Sequence, residues 1–191
     1  MTAYTNFTGD FPARCVAVLD AASDIAKGQE REVTLLLMAA SASFIVSFER
    51  LKPDTREGGH PFGDNKKFSV AAESLSQLMK SEFIGSELCP GMSHSWRSAK
   101  NIKSVRGGPE QWLQSAKLEP VTQQRPVASI LKLLRNALAH GSLYTTGDPI
   151  KELIFVQRQN KADFEILIVG QENFEFFIRA WILFLKNAND S

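Results

Sequence analysis

This chain is poor in cysteine and carries almost no net charge. It has two cysteines, Cys15 and Cys89. They lie far apart, form no C-x-x-C, and neither stands beside a histidine at metal-ligand spacing. A disulfide framework and a zinc site are therefore not expected, and a reducing cytoplasm is the expected setting. The net charge is +1, so no global field draws in nucleic acid, and any RNA contact has to come from a local patch. Met1 to Asp10 shows no basic segment followed by an apolar run, so no secretory signal is expected. The longest apolar stretch, Val33 to Phe48, is interrupted by Ser41, Ser43 and Ser47. It falls short of the ~20 residues of a membrane span. It reads as a buried core helix, and no membrane partner is expected.

What is present suits a folded domain. Hydrophobic residues make up 43% of the 191, and 13 phenylalanines and 3 tryptophans can fill an interior, which predicts one domain over residues 1–191. Helical spacing of apolar residues predicts helices over Pro12 to Lys27, Glu30 to Leu51 and Lys67 to Ile84. Lys52 to Asp64, with two prolines and three glycines, reads as a loop. Gly85 to Lys117 reads as a loop-rich insertion carrying a short helix that Pro109 opens. Within it stand four cations spaced by three, Arg97, Lys100, Lys103 and Arg106, beside Trp96; they are candidate RNA-backbone contacts with one stacking ring, against the commoner solvated face. His60 and His94 read as exposed loop histidines. Glu152 to Arg158 and Asp163 to Val169 predict a β-hairpin, with Phe164, Ile166 and Ile168 alternating against Glu165. A last helix, Glu172 to Lys186, has an apolar face and a surplus, Phe176, Ile182 and Leu183, that calls for a second packing partner such as another subunit.

The segment with chemical content is Arg135-Asn136-Ala137-Leu138-Ala139-His140-Gly141. It closes a helix that Pro126 opens and whose apolar residues, Ile130, Leu133, Leu134, Ala137 and Leu138, follow the period of one buried face. Gly141 stands where a helix stop belongs. Arginine holds a phosphate in a fork of donors, and histidine moves a proton near neutral pH. Asn136 and His140 are four residues apart, on one face, so the amide is placed to orient the imidazole. Arg135 is five residues from His140, about 140° round the helix. One copy aims the two groups apart, and two facing copies would bring Arg135 of each toward His140 of the other. Such a cleft suits RNA cleavage by the adjacent 2′-hydroxyl, without a metal or cofactor and without activity on DNA. The plainer reading is that both side chains decorate a helix end, where cations are favoured.

This motif helix resembles the signature of the HEPN superfamily (higher eukaryotes and prokaryotes nucleotide-binding domains): Arg, a polar residue often Asn, three or more residues, then His. The resemblance implies a mainly α fold, a helical bundle with a short β-hairpin inserted before the C-terminal helix. It also implies a homodimeric, metal-independent endoribonuclease with Arg135, Asn136 and His140 as site residues, RNA as substrate, and a toxin-antitoxin or antiviral setting in which an antitoxin or other regulatory protein is a possible partner. The alternative is a non-catalytic dimer of the same type that binds a nucleotide, RNA or a protein through that cleft.

Overall fold

A computed structural model of the chain describes residues 7–52, 66–91, 95–160 and 163–190. The elements run α1 (Phe7–Gly28), α2 (Glu32–Ala40), a π-helical turn (Ser41–Ile45), α3 (Val46–Leu51), α4 (Lys66–Lys80), β1 (Trp96–Ile102), α5 (Pro109–Leu113), β2 (Glu119–Pro120), α6 (Val127–His140), β3 (Leu143–Thr146), β4 (Glu152–Arg158), β5 (Phe164–Gly170) and α7 (Gln171–Asp190). Two compact units share them. One comprises residues up to Ser81 with Phe177 onward, and the other is Glu82–Phe176.

The first unit is helical. Glu32–Leu51 is one helix of 20 residues, long and apolar enough to cross a membrane by length and composition. In this structure it is a core helix of its unit: Phe44 meets the edge of Trp181 at 5.2 Å and of Phe177 at 5.8 Å, and the Trp181 Nε1–H donates to Ser47 Oγ at 3.0 Å. Ser43 donates to the Ala39 carbonyl and Ser47 to that of Ser43, four residues back in each case. These hydroxyls occupy carbonyls where the backbone ladder slips to π spacing.

The second unit corrects the expected fold class. It holds a five-stranded antiparallel sheet, in the order β2-β1-β5-β4-β3, so the protein is α+β and not a mainly helical bundle with one hairpin. The expected hairpin is β4 and β5, with Ile154 opposite Ile168 and Val156 opposite Ile166. β3 flanks it through Leu143 opposite Phe155, and β1 adds to the far side of β5 with Arg97 opposite Ile168. β1 lies in the segment read as loop, and its alternation is broken. The register shifts between Ala99 and Ile102, Asn101 has φ +60°, and the two apolar residues, three apart, face one cluster with Trp112, Ile154 and Ile166. A bulge of this kind erases the period of two that marks a strand in sequence. The sheet is buried on both sides, since the opposite face sends Phe155 onto Phe174 at 5.0 Å and β4 packs on α6.

Candidate active site on the motif helix

Burial fixes how α6 presents its polar residues. Val127, Ile130, Leu131, Leu133, Leu134 and Ala137 are buried, which sets that face against the unit's interior. Pro126 is extended at the N-cap, so the helix starts one residue later than the sequence suggested, at Val127. The other end stops at Gly141, whose φ of +64° is left-handed; the Ser142 N–H closes back on the Ala137 carbonyl at 2.9 Å. Glycine takes this conformation without the steric cost a Cβ imposes. The chain then enters β3 directly, so β-sheet pairing holds the motif's end from the C-terminal side.

On this frame Arg135 and Asn136 are half-buried and His140 is exposed. Arg135 Nη1 donates to Asn136 Oδ1 at 2.7 Å. The structure thus brings Asn136 to Arg135 and not, as helical spacing suggested, to His140. No hydrogen bond or ion pair of the His140 ring is present among the described residues. One helix end therefore offers a guanidinium steadied by an amide and, about 140° away by helical geometry, an imidazole open to solvent.

The four cations do not form one row. Arg97 reaches across β5 to pair with Glu152 on β4. Lys103 pairs with Asp163 at 2.6 Å; hydrogen bonds from Lys103 and then Asn160 hold the Asp163 carboxyl below its usual range. Lys100 and Arg106 are exposed. A spacing of three lies on one face of a helix but alternates across a strand, and β1 is a strand. Trp96 is 1% exposed and edge-packed on Phe83 at 5.1 Å, so it is a core residue and not a stacking platform. His60 and His94 lie outside the described residues. Phe176 and Leu183 of α7 are exposed, and Ile182 is intermediate.

Sequence reasoning missed a buried ion pair. Glu165, read as the outward residue of its strand, is 8% exposed, and its Oε1 lies 2.6 Å from Arg125 Nη2. Arg125 immediately precedes Pro126, and its Nε donates to Ser129 Oγ in the first turn of α6 at 2.9 Å. The only hint in sequence was a carboxylate in the middle of an otherwise apolar strand.

Among the described residues, no three His, Cys, Asp or Glu side chains come together as a metal-binding group. No curated protein and no solved structure matches the chain significantly. A family model described as HEPN pEK499 p136 matches residues 1–191. Match and motif agree, and the chain belongs to the HEPN superfamily.

Proposed function

We propose that this protein is an endoribonuclease of HEPN type that acts as a homodimer, with Arg135 and His140 as catalytic residues and Asn136 as the positioning residue for Arg135. The observation that carries the reading is the end of α6: a solvent-open His140 and an Arg135 whose guanidinium is tethered to Asn136. In the reaction, His140 of one copy takes the proton of an RNA 2′-hydroxyl, whose oxygen attacks the adjacent phosphorus. The bond from phosphorus to the 5′-oxygen breaks, and the same His140, now protonated, returns its proton to that oxygen through water. The products are a 2′,3′-cyclic phosphate and a 5′-hydroxyl. Arg135 neutralises charge on the phosphate oxygens as it gathers. A toxin-antitoxin or antiviral role, with a regulatory protein as partner, fits the same chemistry.

The test is cleavage of a structured RNA in EDTA. His140→Ala is expected to lose about 10²–10⁴-fold in rate, the range for a positioned acid–base group. Equal rates for the two proteins would overturn the proposal, as would cleavage of an all-deoxy strand.

A further inference from the structure

The motif helix differs in charge from every other α-helix among the described residues. α1, α2, α3, α4, α5 and α7 each contain at least one Asp or Glu, whereas α6 contains none and carries Lys132, Arg135 and His140. Over the whole chain cations and acids balance, 22 against 21, so the asymmetry is local. Lys132 is exposed, and it makes no ion pair or hydrogen bond among the described residues. The helix neighbours within its reach, Ala128, Ser129, Arg135 and Asn136, offer no carboxylate. Arg135 instead stands one turn further on and repels it, a small destabilisation that no ion pair of Lys132 offsets. An arrangement that does not serve the helix suits an anion laid along it.

At roughly 100° per residue, Lys132 lies about 60° from Arg135 and about 80° from His140, inside the sector that those two residues bound. The other members of that sector, Asn136 and Ala139, are uncharged. Lys132 and Arg135 are one turn apart, about 5–6 Å between Cβ atoms, and successive phosphates of a single strand follow at a comparable interval. We propose that Lys132 is a second phosphate-binding residue of the ribonuclease site: while Arg135 holds the phosphate being cut, the Lys132 ammonium of the same copy holds the next phosphate along the strand. The two cations divide the work by their chemistry. The guanidinium is a rigid fork that fixes a phosphate's orientation, whereas lysine is a point charge on a flexible stem that follows one. Such a contact carries no base preference and sets the strand's register on the helix. It also supplies the local patch that a net charge of +1 requires of any RNA-binding surface. The inference rests on the ribonuclease reading for which phosphate is cut, while the contact itself is measurable without cleavage.

The contact is tested on the full chain carrying His140→Ala, titrated with a single-stranded 12-mer RNA between about 50 and 200 mM salt. Adding Lys132→Ala, at an exposed position that does not threaten folding, is expected to weaken binding about fivefold. It should also reduce the slope of log affinity against log salt by about 0.7, the value for one phosphate contact on a single strand. Lys132→Arg is expected to keep the slope. An unchanged slope in Lys132→Ala overturns the proposal and leaves the ribonuclease standing wherever the wild-type chain cleaves RNA. A reduced slope in a protein that cleaves nothing upholds the phosphate contact and sinks the ribonuclease instead. The place of Lys132 beside the cut is tested by cleavage with His140 restored. One substrate is a dinucleotide, whose only phosphate is the one cut; the others are two trinucleotides in which a single ribose fixes the cut linkage and the further phosphate lies on one side of it or the other. Lys132→Ala is expected to raise KM about fivefold for one trinucleotide, with the loss in KM and not in kcat. The dinucleotide has no second phosphate to lose. Equal losses on all three substrates would put Lys132 at the cut phosphate and overturn its assignment to the neighbour, as would no loss on either trinucleotide.

Discussion

Arg135 and Asn136 are neighbours whose side chains also meet, at 2.7 Å, and this makes their roles separable. If Asn136 works only through Arg135, Asn136→Ala should slow RNA cleavage by less than Arg135→Ala does. Adding it to Arg135→Ala should cost nothing more, the outcome a double-mutant cycle reads as full coupling. Additive losses would give Asn136 a contact of its own with RNA. Arg135→Lys keeps the charge but not the two-pronged donor, and it is expected to recover only part of the rate lost in Arg135→Ala. Asp163 supports a prediction on stability. Hydrogen bonds from Lys103 and Asn160 lower its folded pKa, so its contribution is present above the unfolded carboxyl value of about 3.9 and fades as pH falls through the lower folded value. The Tm difference between wild type and Asp163→Asn should therefore be constant near neutrality and vanish in strong acid; a difference unaffected by acid would remove the charge from the explanation.

At the scale of elements, the left-handed Gly141 ends the motif helix with open space around a would-be Cβ. Gly141→Ala thus meets no clash and carries only the conformational cost of φ +64°, expected to be about 1–2 kcal/mol in urea denaturation. A neutral result would mean that the cap relaxes. The motif helix was legible in the sequence because its period of 3.6, its opening proline and its closing glycine all agree. The hairpin of β4 and β5 was legible too, from two apolar runs around a polar turn. The sheet around it was not. β1 hides behind its bulge at Asn101, β2 is two residues long, and β3 is too short and too soon after Gly141 to leave a pattern. Glu165 was misread for a related reason: alternation assigns a polar residue to the wet face, yet this sheet has no wet face there, and a partner 40 positions earlier, Arg125, neutralises it. The exchange of partners at Asn136 lay beyond helical spacing, which points Asn136 toward His140 and sets Arg135 about 100° away, a gap that the long arginine side chain spans.

For the whole molecule, the decisive question is whether one chain holds a complete site. Arg135 and His140 diverge by about 140° on a helix too rigid to bring them together, and the exposed Phe176 and Leu183 of α7 supply apolar surface for a second copy. The expected mass at micromolar concentration is that of a dimer. Mixing Arg135→Ala and His140→Ala chains then distinguishes a shared site from a self-contained one. Each homodimer is dead. In the mixed dimer, a site that takes Arg135 from one copy and His140 from the other comes out intact once and doubly damaged once. Half the dimers are mixed and half of their sites are whole, so recovery of about one quarter of the wild-type cleavage rate is expected after exchange. A site completed within one chain recovers nothing, because every chain in the mixture lacks one of the two groups.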